Sequence, residues 1–132
     1  MSSEKTHGPR TVLIVDDDDD ARFAATRIVR YFGYNVLEAP GGAEGIALFT
    51  ENLGKVDAVV LDMMMPGLSG KEVAWELYKL SPTVPVILAS GFIDTPQRQE
   101  KRAPNVAMFL QKPYAAAALI AAIKKLWAAE EA

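Results

Sequence analysis

Short runs of apolar residues alternate along the chain with longer segments in which apolar positions recur every three or four residues. A run that is apolar throughout is typical of a parallel strand covered on both faces, and a 3.6-residue period is typical of an amphipathic helix. Because the two patterns alternate, we expect repeated βα units that form one parallel sheet. The strands are predicted at Val12–Val15, Asn35–Leu37, Ala58–Leu61, Pro85–Ala89 and Val106–Leu110.

Apolar stripes, with start and stop residues, predict four of the five helices. Ser69 and Glu72 have the spacing of a capping box, and Asp20 is the expected N-cap of the first helix. The helix that is fourth in chain order is predicted after Thr95–Pro96, but the sequence that follows has no apolar stripe, so we expect it to be short and loosely held. The other helices are predicted at about Ala21–Phe32, Ala43–Asn52, from Ser69 to about Leu80, and at about Ala115–Ala129.

This order of elements favours an α/β fold of the flavodoxin-like kind, a doubly wound (βα)5 parallel sheet with strand order 2-1-3-4-5. In such sheets, ligands bind outside the carboxyl ends of the strands, near the point where the strand order reverses. We predict a domain over residues 11–128, between a flexible leader at residues 1–10 and a C-terminal tail at residues 129–132.

Composition narrows the possible chemistry. The 132 residues include no cysteine and one histidine, His7, so the sequence excludes disulfides, thiolate catalysis and sites built from several cysteines or histidines. Five of the 17 acidic residues stand together at Asp16–Asp20, and the remainder is close to neutral, so direct nucleic-acid binding is not expected. The longest apolar run, Tyr114–Ile123, is too short to span a membrane, and we expect a cytoplasmic protein.

Chemically active side chains follow the predicted strands. Asp16 and Asp17 come after the first strand, Asp62 after the third, Ser90 after the fourth and Lys112 after the fifth. In a parallel sheet these strand ends lie at one edge, so the three carboxylates would lie close together and repel one another. The repulsion is about 4 kcal/mol for two charges ~4 Å apart at an effective dielectric near 20, and a bound Mg²⁺ ion would relieve it. Although each residue alone could be a helix cap, a turn residue or a solvated lysine, together they predict a site for Mg²⁺ and a phosphoryl group, with one carboxylate as the candidate nucleophile.

Four motifs, in order, carry a resemblance to a known family. They are TVLIVDDDDDAR, VVLDMMMPGLSG, VILASG and MFLQKPY, and from Thr11 to about Trp127 the chain resembles the receiver domain of two-component response regulators, which is CheY-like. The resemblance implies a signal-transduction phosphoprotein whose phosphoacceptor is Asp62. The donor would be a phosphohistidine on a histidine kinase or a histidine phosphotransfer protein. It also implies a domain that promotes its own aspartyl phosphorylation and dephosphorylation but is not a turnover enzyme.

The same resemblance assigns ligands to the metal and to the phosphoryl group. Mg²⁺ would be held by Asp16, Asp17, Asp62 and the backbone carbonyl of Met64. In addition, Ser90 and Lys112 would each hold a phosphoryl oxygen.

The resemblance further implies a switch. After phosphorylation, Ser90 would move toward the phosphoryl group and Phe109, which stands where the family often has tyrosine, would fill the space. The output surface would be the face of the fourth helix, the fifth strand and the fifth helix. The bond between Lys112 and Pro113 is expected to be cis.

Three other functions fit parts of the pattern. One is an aspartyl-phosphate hydrolase of the haloacid-dehalogenase type, although Met64 stands where that family needs a second acid. The others are a flavin-binding module and a receiver-like module that binds partners without being phosphorylated. Two contexts also stay open, a free-standing regulator and the receiver of a hybrid histidine kinase. The downstream partner is unknown, and we expect a monomer or a weak dimer.

Overall fold

The structure is a computed structural model that describes residues 8–91 and 102–131, with side chains described to residue 128. The predicted fourth helix, after Thr95–Pro96, and residues 1–7 of the predicted leader lie outside the described residues. The strands are β1 (Thr11–Val15), β2 (Asn35–Ala39), β3 (Ala58–Asp62), β4 (Val86–Ser90) and β5 (Val106–Gln111). The helices are α1 (Asp19–Tyr31), α2 (Gly42–Glu51), α3 (Gly70–Leu80) and α4 (Ala116–Glu131). The helix labelled α4 is the one predicted from the sequence as the fifth.

The five strands form one sheet in the order β2-β1-β3-β4-β5, and every neighbouring pair is parallel. This confirms the predicted flavodoxin-like, doubly wound fold. The second strand is longer than predicted because Val15 of β1 still pairs with Ala39, so pairing with its neighbour, rather than its own apolar pattern, sets its end.

The core lies on both sides of the sheet, because successive side chains of each strand point to opposite faces. Leu13 and Val15 of β1 face α2 and α3, whereas Val12 and Ile14 face α1 and α4. The first side also contains Phe49, Val59, Leu61, Val73, Leu77 and Leu88. The second side also contains Val29, Val60, Ile87, Leu119, Ile123 and Trp127.

The two helices next to the candidate site begin at different kinds of cap. Ser69 and Glu72 form the predicted capping box at the start of α3. The prediction that Asp20 caps α1 was wrong, because the cap is Asp18, whose Oδ1 accepts the N–H groups of Asp20 at 3.0 Å and Ala21 at 3.2 Å. Asp20 instead lies in the first turn, where its negative charge interacts favourably with the positive end of the helix dipole.

A glycine allows α3 to pack against the end of β3. A Cβ atom on Gly70 would lie 2.7 Å from the Cα of Met63 and would overlap the carbonyl of Asp62, so a larger residue would displace this backbone. The Gly70 N–H also donates to the Met63 carbonyl at 2.9 Å. The loop that begins after Asp62 therefore returns at Gly70 to contact the backbone at the end of β3.

Candidate functional site

The predicted site residues come together at the carboxyl edge of the sheet. Asp16 follows β1, Asp62 ends β3, Ser90 ends β4 and Lys112 follows β5. The parallel register aligns these ends, since Asp62 pairs with Ala89 and the Lys112 N–H donates to the Ser90 carbonyl at 2.9 Å. Residues as far apart in sequence as Asp16 and Lys112 are thereby in direct contact.

Three carboxyl groups form a cluster at this edge. One oxygen from each of Asp16, Asp17 and Asp62 lies within 4.8 Å of the others. Asp16 and Asp62 are only 5% and 7% exposed, whereas Asp17 faces solvent. Two of the three charges are thus largely removed from water, which makes their mutual repulsion stronger than it is on an open surface.

The ammonium group of Lys112 lies beside two of these carboxylates. Its Nζ atom is 3.0 Å from Oδ2 of Asp16 and 3.5 Å from Oδ1 of Asp62. Burial lowers the pKa of Lys112, but the hydrogen bond and charge of Asp16, together with the charge of Asp62, raise that pKa above its ordinary value. Lys112 therefore remains protonated at neutral pH.

Asp62 titrates far above the range of an ordinary aspartate. Its pKa is raised to about 6, first by burial and then by the charge of Asp16, while the charge of Lys112 and a backbone hydrogen bond from Met64 partly oppose this rise. One ammonium group thus does not compensate for the burial of so many acids. An additional cation would relieve the remaining repulsion.

The donor set fits a hard divalent cation. Clustered carboxylate oxygens, with one carboxylate open to solvent, suit Mg²⁺, which binds oxygen ligands and retains several waters. The ligands predicted from the sequence, Asp16, Asp17 and Asp62, are the three members of this cluster. Met64 lies two residues after Asp62 and is 59% exposed, and a hydrogen bond from its backbone reaches the Asp62 carboxyl group, so its backbone lies next to the cluster.

Comparisons with known proteins agree with this geometry. The sequence model of the response regulator receiver domain matches residues 12–124. The chain belongs to this family. The receiver domain is similar in structure to the response regulator receiver domain protein of Clostridium thermocellum, with a TM-score of 0.85 and 30% identity over 92% of this chain and 97% of that one.

Two relatives of the receiver domain are longer proteins. The sensor kinase CckA of Brucella abortus is 34% identical over 119 residues, which cover 90% of this chain and 13% of CckA. The transcriptional regulatory protein PrrA of Mycobacterium tuberculosis is 36% identical over 115 residues, which cover 87% of this chain and 48% of PrrA. The chain therefore spans about half, or much less, of the length of these relatives.

The predicted switch residues of the receiver domain lie on neighbouring strands. Ser90 is completely buried at the end of β4, and Phe109 in β5 is half-buried against the side of the core that faces α2 and α3. The guanidinium carbon of Arg102 lies 5.8 Å from the centre of the Phe109 ring. The peptide bond between Lys112 and Pro113 is cis.

Three residues of the site were missed in the sequence. Arg22 contacts the backbone of Asp16, and the amide of Gln111 donates to the Gly91 carbonyl at 2.9 Å. Burial raises the pKa of Tyr114, whose phenol is within the electrostatic reach of Lys112. A signal for Arg22 was present, because a helical side chain leans back over the preceding turn, and this arginine is four residues after the N-cap of α1.

Within the part of the chain that is described, no helix combines the length and the apolar character that crossing a membrane requires.

Proposed function

We propose that this receiver domain accepts a phosphoryl group on Asp62 as one step of a two-component phosphorelay. The observation that carries the proposal is the surroundings of the Asp62 carboxylate. Asp62 ends β3, and one of its carboxylate oxygens lies within 4.8 Å of an oxygen of Asp16 and of Asp17. The Nζ atom of Lys112 lies 3.5 Å from Oδ1 of Asp62. A nucleophilic oxygen, a cation and a set of metal ligands are the parts that phosphoryl transfer needs, because the protein mainly positions groups and neutralises charge.

The donor is a phosphohistidine of a histidine kinase or of a histidine phosphotransfer protein. A carboxylate oxygen of Asp62 attacks the phosphorus, so a P–O bond forms while the P–N bond to the donor imidazole breaks. The electron pair of the broken bond remains on the imidazole nitrogen, which takes a proton from solvent. With a pKa of about 6, most Asp62 side chains are ionised at neutral pH and able to attack.

Two neighbouring side chains stabilise the charge that arrives with the phosphoryl group. Lys112 already stands 3.5 Å from Asp62 and is held by its 3.0 Å contact with Asp16, so its ammonium is oriented before the reaction. Ser90, at the end of the next strand, supplies a hydroxyl to a phosphoryl oxygen.

Mg²⁺ would be held by Asp16, Asp17, a carboxylate oxygen of Asp62 and the carbonyl of Met64. When bound, it supplies positive charge that offsets the phosphoryl oxygens and the clustered carboxylates. The chain's own contribution is to keep the three carboxylates together before the ion arrives.

The outcome of the reaction is a change of state rather than turnover of a substrate. Each Asp62 takes one phosphoryl group and recovers its carboxylate by hydrolysis or onward transfer, so we do not regard the domain as a turnover enzyme. Phosphorylation adds charge and strong acceptors at the end of β3, which pairs with the strand that ends at Ser90. The signal is read on the face formed by the predicted fourth helix, β5 and α4.

The relatives support two settings for this reaction. CckA is named a sensor kinase and PrrA a transcriptional regulatory protein, so receivers like this one occur in kinases and in regulators. The chain is therefore either a regulator in its own right or the receiver of a hybrid histidine kinase. Because phosphohistidine donors are made with ATP, we propose that it operates in the cytoplasm.

Phosphorylation by a small donor tests the proposal directly. Wild-type protein incubated with acetyl phosphate and Mg²⁺ should gain one phosphoryl group per chain, measured by intact mass. Asp62→Asn should gain none. The matched control is Asp57→Asn, which removes a carboxylate at the opposite edge of the sheet and should be phosphorylated like the wild type.

Two results would overturn the proposal. One is equal phosphorylation of wild type and Asp62→Asn. The other is a folded wild-type protein that takes no phosphoryl group from acetyl phosphate or from a phosphorylated histidine phosphotransfer protein. The second result would favour a receiver-like module that acts by binding alone.

A further inference from the structure

The side chain of Arg22 contacts three separate acceptors next to the carboxylate cluster. Its Nη1 donates to the backbone carbonyl of Asp16 at 2.9 Å, and its Nη2 donates to Oδ1 of Asp19 at 2.7 Å. Its Nε lies 3.4 Å from Oε1 of Glu38 in β2. The side chain is only 17% exposed, so these contacts hold it against the loop rather than in solvent.

The contact with Asp16 fixes the peptide group that leads to Asp17. Other groups hold the rest of Asp16, since its N–H donates to the Ala39 carbonyl at 3.2 Å and its Oδ1 accepts from the Asp18 N–H at 3.0 Å. The carbonyl is held by Arg22. Because a peptide group is planar, holding this carbonyl also fixes the N–H and the Cα of Asp17, from which its carboxylate projects.

We propose that Arg22 is a positioning residue for the magnesium site and that it acts by holding the Asp16–Asp17 peptide. This inference rests on the proposed function, in which Asp16 and Asp17 bind Mg²⁺. Arg22 itself does not touch the ion. Its contacts with Asp19 and Glu38 anchor the guanidinium to α1 and β2, so the loop between β1 and α1 is held to two rigid elements.

A positioning role and a purely electrostatic role for Arg22 predict opposite changes in Mg²⁺ affinity when the side chain is removed, so the direction of the measured change distinguishes them. A guanidinium beside the cluster repels a divalent cation, so removing it should tighten Mg²⁺ binding if Arg22 contributes only its charge. If Arg22 holds the ligands in place, removing it should weaken binding instead. Residues that orient metal ligands typically contribute tenfold or more to metal affinity.

Lysine separates geometry from charge at this position. A planar guanidinium reaches three acceptors in different directions, whereas an ammonium on a flexible stem is a point charge that cannot reproduce this fork. Arg22→Lys therefore keeps the charge and loses the arrangement. Arg22→Met loses both.

The test is the Mg²⁺ dissociation constant measured by isothermal titration calorimetry. We expect Arg22→Lys and Arg22→Met to raise it about tenfold relative to the wild type. The control is Arg30→Lys, in the last turn of the same helix, which should leave it unchanged. An unchanged constant in Arg22→Lys, or tighter binding in Arg22→Met, would overturn the inference.

Amide resonances provide a second measurement that does not depend on phosphorylation. In metal-free protein, Arg22→Lys should shift and broaden the resonances of Asp17 and Asp18 while leaving those of β3, β4 and β5 in place. If these resonances match the wild type, Arg22 does not position the loop. A wild-type protein that binds no Mg²⁺ contradicts the proposed function, whereas equal binding by wild type and Arg22→Lys contradicts this inference alone.

Discussion

The two ends of the parallel sheet differ in how their charged and polar groups are paired. At the amino end, Oδ2 of Asp57 accepts the Thr11 N–H at 2.8 Å, and the Asp57 carbonyl accepts the indole N–H of Trp127 at 3.1 Å. The Arg10 guanidinium lies 4.5 Å from the Trp127 ring. At the carboxyl end, three carboxylates share one small volume, and burial raises the pKa of Asp62 to about 6.

This difference separates the part of the fold that stabilises the domain from the part that carries its chemistry. At the amino end, the carboxylate and carbonyl of Asp57 and the indole N–H of Trp127 all have hydrogen-bonding partners, so folding leaves none of these groups unsatisfied. Groups at the carboxyl end include like charges that a metal ion or a phosphoryl group would rearrange. Functional sites commonly depart in this way from the consistency found elsewhere in a fold.

The largest effect on stability is expected at Trp127, which is 5% exposed at the amino end. Trp127→Ala removes a buried indole that packs against Tyr34 at 5.1 Å, and it should lower the free energy of unfolding by about 3–5 kcal/mol. Urea denaturation followed by circular dichroism measures this loss.

Trp127→Phe is the milder companion variant, which keeps a ring but leaves the Asp57 carbonyl without the indole donor. It should cost about 1–2 kcal/mol and should leave the Mg²⁺ dissociation constant unchanged. A change in Mg²⁺ affinity would show that the two ends are coupled, because distant sites without shared partners normally act independently.

Asp62→Asn is expected to raise the free energy of unfolding, whereas the Trp127 variants lower it. In metal-free buffer at pH 7, removing this buried charge should raise the free energy of unfolding by about 1–3 kcal/mol, which follows from a pKa near 6 in the folded state and near 4 in the unfolded chain. Because folding favours protonated Asp62, its stabilising contribution is fully present below about pH 4 and is lost as the pH rises through about 6.

Paired denaturation curves of wild type and Asp62→Asn from pH 4 to 8 isolate this contribution, since the other carboxylates titrate in both proteins. The stability advantage of the variant should grow with pH and level off above about pH 7. A constant difference across the range would mean that the pKa of Asp62 is not raised by folding.

Much of the fold could be predicted because it depends on local patterns. Apolar runs such as VLIV and AVVL identify buried strands, and the alternation of strands with helices implies a parallel sheet. A parallel sheet in turn places Asp16, Asp62 and Lys112 at one edge, so the members of the site follow from topology before any distance is known.

Other features depend on packing that the pattern does not contain. Among five consecutive aspartates, the choice of Asp18 as the cap depends on where α1 starts, and this is set by how the helix packs on the sheet. The raised pKa of Asp62 depends on its burial and on the position of Asp16. The three contacts of Arg22 involve Glu38, a partner 16 positions away on another element.

The smallest effect is expected from Mg²⁺ itself, which should act at the carboxyl end only. A ligand that binds the folded state stabilises it by about 1.4 kcal/mol at a free concentration ten times its dissociation constant. Wild type and Trp127→Phe should gain this amount equally, as measured by urea denaturation with and without Mg²⁺.

Asp17→Asn is the matched change at the other end, because it removes one exposed member of the carboxylate cluster without disturbing the core. It should leave metal-free stability nearly unchanged and abolish most of the gain from Mg²⁺. If Asp17→Asn gained as much as the wild type, the ion would be binding away from this cluster. Loss of the gain in Trp127→Phe would instead indicate that an intact amino end is needed to keep the carboxylates in place.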